Sequence, residues 1–149
     1  MADLKAMCEK AGFKSVRTYI ASGNVVFESD RSEKDVKSIL EKRLLAYAGK
    51  PVGVMVRTAK EMADVLAHNP FPEAPGNRTV AIFLDEAPLK SALDGISGQV
   101  NEEVRLGRRE IYVSYGDGMR DSKLKIPAAA KGTARNMNTV AKLAAMAAE

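Results

Sequence analysis

Residues 69–78, Asn69-Pro70-Phe71-Pro72-Glu73-Ala74-Pro75-Gly76-Asn77-Arg78, hold three prolines and a glycine in ten positions. A proline lacks its N–H and fixes φ near −65°, so neither a helix nor a central strand runs through such a stretch. The 149-residue chain is thereby divided into a half at 1–68, a linker at 69–78 and a half at 79–149. That length suits one compact domain, or two small half-domains sharing a core.

In the first half, Leu4, Met7, Cys8 and Ala11 recur at helical spacing, with Asp3 placed to cap and Gly12 to stop. Ser15 to Ile20 and Asn24 to Ser29 alternate around the turn residues Ala21, Ser22 and Gly23, which predicts a hairpin. Ser32-Glu33-Lys34-Asp35 resembles a capping box and opens a helix with Val36, Ile39, Leu40, Leu44 and Tyr47 on one stripe, ended by Gly49. Alternating valines predict a strand over 51–57, and a second box at Thr58 to Glu61 opens a helix with Met62, Val65 and Leu66 inward. After the linker come a buried strand at Thr79 to Leu84, a short helix at Pro88 to Ile96, and a hairpin of 103–106 and 110–115 turning at Gly107-Arg108-Arg109. A loop at Gly116-Asp117-Gly118, a turn or short helix around 122–126 and an alanine-rich helix to Ala148 complete the chain.

This order predicts an α+β fold of two ferredoxin-like (split βαβ) halves with antiparallel sheets. The first half lacks the strand that should precede its opening helix, leaving neighbouring strands without a partner. Either another chain's strand fills the gap or, the reading we favour, a strand and loop of about two dozen residues stand ahead of Met1 in the natural protein.

Three motifs carry a family likeness: SVRTYIASGNVVFES at 15–29, the step Ser122-Lys123-Leu124, and TARNMNTVAKL at 133–143. In this order the chain resembles the bacterial family catalogued as domain of unknown function 1697. The resemblance covers nearly the whole chain and implies an α+β protein with ferredoxin-like halves and no established activity. Relatives usually begin with a strand and a glycine-rich loop directly before the opening helix, in keeping with the gap inferred from pairing. They often carry tryptophan where this chain has Met137, a departure that weakens any scheme in which a ring stacks there on a base or sugar.

Composition narrows the chemistry. No apolar run reaches the roughly 20 residues of a membrane span and the first residues lack the plan of a signal peptide, so a cytoplasmic protein without a membrane partner is expected. Cys8 and His68 are the sole cysteine and histidine, which argues against a disulfide, a metal site or a catalytic triad, and no cofactor is implied. Cys8 falls on an apolar helix stripe, as a core residue would, and His68 stands at a helix end, where its role is capping. Asp85-Glu86 follows a buried strand and faces a proline-led helix, as dipole partners do.

Charge is uneven: residues 105–142 carry nine Lys or Arg against three acids, whereas the chain before 105 carries 14 against 15. Such a skew suggests an anionic partner, or a solvated face. The sharpest polar cluster lies at the mouth of the last helix, where Thr133 is expected to cap, placing Arg135 in the first turn beside Asn136 and Asn138. A cation there opposes the helix dipole unless an anion is bound or an acid pairs with it. Ser22 and Asn24 in the hairpin turn, and Ser122 with Lys123, complete the candidate ligand-binding set; for the first pair local turn bonding is the favoured reading.

The sequence reading is thus a non-catalytic binding module for an anionic, phosphate-bearing ligand, either a small molecule or nucleic acid. The alternatives are a small enzyme acting on an anionic metabolite and a protein–protein interaction module. No nucleophile–base pair is assembled by motif, so no catalytic residue is assigned.

Overall fold

The computed structural model describes residues 2–19, 24–74, 76–88, 91, 94–99, 102–115, 124–127 and 132–148. The chain forms two compact units, one of residues 1–59 with 143–149 and one of residues 60–142. The sequence punctuation at 69–78 marks a loop inside the second unit. Prolines stop a helix, but which elements group together depends on what their side chains pack against.

In the first unit, α1 (Ala2–Lys10) ends at Gly12, left-handed with φ 92°. The Gly12 N–H donates to the Glu9 carbonyl at 3.0 Å and the Phe13 N–H to that of Cys8 at 3.2 Å, the paired bonds of a Schellman stop. α2 (Glu33–Ala48) is capped by Ser32, whose Oγ accepts from the Asp35 N–H at 3.2 Å. Gly49, with φ 75°, closes it by donating to Leu45. Strands β1 (Lys14–Tyr19) and β2 (Asn24–Glu28) form a two-stranded antiparallel sheet. One extra residue between Lys14 and Arg17 makes a bulge, with Ser15 at φ 52°. The core gathers Cys8, Phe13, Val16, Val36 and Leu40, and Phe13 stacks on Phe27 with centroids 4.2 Å apart. Arg17 Nη2 donates to the Met146 carbonyl at 2.7 Å, setting a cation at the end of the last helix, where the dipole favours it.

Two expectations in this unit are corrected. Residues 51–57 form no strand; Val54 and Val56 pack on the core while the Val54 carbonyl accepts from Lys37 Nζ at 2.7 Å. Alternation records which side is buried, but a strand also needs a neighbour to bond. Tyr47, placed on the apolar stripe of α2, is 64% exposed, because the buried positions Val36 and Leu40 lie in the first half of that helix.

The second unit begins with α3 (Ala59–Ala67), which buries Met62 and Val65 but leaves Leu66 39% exposed, against the expectation for that residue. The inward stripe follows positions 62 and 65, and Leu66 lies one residue around the helix from Val65. A 3-10 turn (Gly76–Arg78) leads into β3 (Thr79–Phe83), followed by β4 (Glu103–Leu106), β5 (Glu110–Ser114) and β6 (Thr133–Asn136). These strands form one sheet in the order β4-β5-β3-β6, antiparallel throughout. All five residues of β3 are buried. Val80, Ile82, Val104, Ile111 and Val113 share one face, joined there by Ile96, Leu124 and Ile126 from the connections. Tyr112 belongs to the opposite face, and its hydroxyl donates to the Val65 carbonyl at 2.9 Å, fixing α3 on that side. The helix expected at 88–96, the loop 116–118 and the start of the turn at 122–126 fall wholly or partly outside the described residues; within them, Ser97 and Lys125 form a bridge.

Candidate functional site

The polar run at 133–142 is built differently from the sequence expectation. Thr133 does not cap the last helix: residues 133–136 are the edge strand β6, pairing Thr133 with Phe83, Ala134 with Ile82, Arg135 with Ala81 and Asn136 with Val80. The helix α4 (Met137–Ala147) starts without any intervening loop. Asn136 is its cap, with Oδ1 accepting from the Thr139 N–H at 2.9 Å. Arg135 therefore lies outside the first helical turn, and the expected dipole conflict does not arise.

Register sets Arg135 in a cross-strand row with Ala81, Tyr112 and Arg105, so a guanidinium stands on each edge strand of one sheet face. Arg105 lies 5.8 Å from the centre of the Phe71 ring, a cation–π contact. Arg135 Nη1 donates to the Ala134 carbonyl at 2.8 Å, and partial burial lowers the pKa of its guanidinium below the usual value. Asn138 is exposed in the first turn of α4, and Lys142 follows one turn later on the same face.

Gly76 lies against this junction. A Cβ there would meet the Asn138 side-chain oxygen, the far end of an exposed side chain, so a larger residue would turn Asn138 aside where the 3-10 turn carrying Arg78 packs against β6. Sequence reading missed Gly76 and Arg78, having spent both on the linker.

Of the other candidates, Asn24 is buried at the start of β2, and its Nδ2 donates to the Tyr19 carbonyl at 3.3 Å. Ser22, Ser122 and Lys123 lie outside the described residues. Asn24 belongs to the first unit and Thr133, Arg135, Asn136 and Asn138 to the second.

The basic skew is smaller in the folded unit than along the chain, since residues 60–142 hold twelve Lys or Arg against eleven Asp or Glu. Of the eight added acids, α3 supplies two, Glu61 and Asp64, and both face arginines of the β4–β5 turn. Arg109 Nη1 meets Glu61 Oε2 at 3.3 Å, while its Nε and Nη2 donate to the Asp85 carbonyl at 3.2 and 2.9 Å. Arg108 faces Asp64 at 4.0 Å. Pairing across 44 to 48 positions of sequence is invisible to a running charge count.

Cys8 is fully buried, and burial pushes its thiol up to about 11, with Glu9 raising it further and Arg43 opposing; such a thiol is a poor nucleophile. His68 Nδ1 stands 2.7 Å from the Asp64 carbonyl, a contact at the end of α3 of the kind expected for it. Among the described residues, no group of three or more His, Cys, Asp or Glu is arranged to hold a metal ion, and no helix is long and apolar enough to cross a membrane.

A family model described as "Protein of unknown function (DUF1697)" matches residues 1–112. Comparison with curated proteins gives no match. Among solved structures the chain is similar to a conserved bacterial protein, SP0830 from Streptococcus pneumoniae, with a TM-score of 0.79 at 21% identity over 99% of this chain and 88% of that one. A likeness at that identity speaks for the fold alone.

Proposed function

The chain belongs to the DUF1697 family of proteins of unknown function, and on that footing we propose that it is a non-catalytic binding module for an anionic, phosphate-bearing ligand. The carrying observation is the β6–α4 junction. An edge strand passes straight into a capped helix, so Thr133, Arg135, Asn136 and Asn138 fall within six residues, next to the turn that bears Arg78. Guanidinium groups supply planar, charge-assisted donors suited to phosphate, and Lys142 extends the same charge along α4. Ser122 and Lys123 join the proposal on residue chemistry alone, as do Ser22 and Asn24 for a separate polar turn in the first unit. Nucleic acid is the extended form of the same ligand class.

We also infer a ferredoxin-like plan for the second unit. Its sheet has the spatial order second, third, first, fourth strand, and both long connections contribute apolar residues to the same face.

The test is a titration of the full chain with inorganic pyrophosphate, followed by amide NMR, with a parallel filter-binding series on single-stranded RNA at rising salt. The proposal expects perturbations centred on residues 76–78 and 133–142, weakening as salt rises, and roughly a tenfold loss in Arg135→Gln. Silence at those amides in the millimolar range, or binding that Arg135→Gln leaves unchanged while the fold is intact, overturns it.

A further inference from the structure

Among the described residues, three arginines bend back onto the backbone of the residue before them. Arg105 Nη1 donates to the Val104 carbonyl at 2.9 Å, Arg135 Nη1 to that of Ala134 at 2.8 Å, and Arg57 Nη1 to that of Val56 at 2.9 Å. Arg57 closes the stretch 51–57, which forms no ladder. Arg105 and Arg135 stand on β4 and β6, the two edges of the four-stranded sheet among the described residues.

The ladder shows which way those carbonyls point. In an antiparallel pair, alternate residues bond to the neighbouring strand and the rest face away from it. The Gly107 N–H donates to the Glu110 carbonyl at 2.7 Å, which makes Glu103 and Arg105 the bonding residues of β4 and turns Val104 and Leu106 outward. The Leu84 N–H donates to the Arg109 carbonyl at 2.9 Å, so Val80 and Ile82 bond to β5 while Ala81 and Phe83 bond to β6. Their partners are Arg135 and Thr133, and Ala134 and Asn136 are left facing outward. Each edge strand is four residues long and so offers an incoming strand only two outward residues. In both strands an arginine covers the carbonyl of the first of those two.

We propose that Arg105 and Arg135 close the edges of this sheet to a second copy of the chain. A strand adding to β4 or β6 must donate to Val104 or Ala134, where a charge-assisted bond already sits, and must bury the guanidinium against its own backbone. Pairing either edge with either edge of a second copy also brings two such cations together, and like charges on neighbouring strands repel. The Phe71 ring, 5.8 Å from the Arg105 guanidinium, holds that side chain in place. Arg105 lies on the opposite edge from the β6–α4 junction, so its role stands or falls independently of anion binding there.

The experiment measures self-association of the full chain by sedimentation equilibrium. Arg105→Met and Arg135→Met keep a long side chain but neither its charge nor its donors, and each is expected to self-associate at least about tenfold more tightly than wild type. Arg108→Met removes the same charge from an 83% exposed site on the β4–β5 turn and should behave as wild type. Adding Ala134→Pro to Arg135→Met should abolish its association, because the Ala134 N–H faces away from β3 and proline there costs the native ladder no bond. Arg105 is exposed, so its variant decides the matter if Arg135→Met does not fold. Wild type that associates as tightly as the methionine variants, methionine variants that stay monomeric, an equal response from Arg108→Met, or an association that survives Ala134→Pro overturns the proposal.

Discussion

The β1–β2 hairpin and the β4-β5-β3-β6 sheet obey the same alternation of side chains, yet they are stabilised very differently. In β3 every residue is buried, because α3 lies on one face and Ile96, Leu124 and Ile126 cover the other. In β1 and β2 only Val16 and Asn24 are buried, and the strand beyond each edge is missing among the described residues. Alternation thus assigns faces, while the number of layers and neighbours sets the energy. The largest expected difference comes from one chemical change made in both places. Val113→Ala, at a fully buried site, should destabilise the chain by about 2 to 3 kcal/mol through two lost methyl contacts and a cavity. Val25→Ala, half-buried, should lose about 1 kcal/mol or less. Urea unfolding of the two variants decides, and equal losses would break the contrast.

The covered sheet also predicts a pH effect. Burial, and then the Glu110 carboxylate, push the Tyr112 hydroxyl from 10.0 to about 12. The folded state therefore retains a proton that the unfolded chain releases. Below pH 10 both states are protonated and stability is unaffected by this group. Between pH 10 and about 12 the unfolded state binds fewer protons, so stability falls as pH rises, by up to roughly 1.4 kcal/mol per unit. Tyr112→Phe should flatten that part of the curve while losing about 1 kcal/mol at neutral pH with the bond to Val65. A wild-type curve already flat between pH 10 and 12 would contradict the burial argument.

A smaller effect separates what sequence could tell about the β6–α4 junction from what it could not. Asn136→Ala should destabilise by about 1 kcal/mol, since it removes the acceptor for the Thr139 N–H. Thr133→Ala, on the edge strand, should stay within about 0.5 kcal/mol. The reverse ranking in thermal unfolding would restore Thr133 as the cap. Both residues are good caps, and local chemistry alone does not choose between them. What chooses is the ladder from Ala81 and Ile82 to Arg135 and Ala134, made with a strand more than fifty positions away. The glycine stops at Gly12 and Gly49, the Ser32 cap and the β4–β5 hairpin were legible because each is completed within a few residues of itself. The Arg109–Glu61 pair, the missing ladder at 51–57 and the contact between Gly76 and Asn138 were not, because each needs a partner from elsewhere in the fold. Candidate anion-binding residues could be named from their chemistry, whereas the neutralisation of neighbouring arginines by α3 could not.

The smallest effect returns to the hairpin. The bulge between Lys14 and Arg17 places Ser15 at φ 52°, where a Cβ crowds the backbone and glycine does not. Ser15 is exposed, so its replacement disturbs no packed neighbour. Ser15→Gly removes the left-handed strain but gives the unfolded chain more freedom, and the two effects oppose one another. The net expectation is a gain of a few tenths of a kcal/mol, read as a small rise in the urea midpoint with an unchanged slope. Ser15→Ala keeps the Cβ and should give no such rise. If alanine stabilises as much as glycine, the bulge is not the reason for the hairpin's weakness. The two-stranded sheet would then owe its lower stability entirely to the layers it lacks.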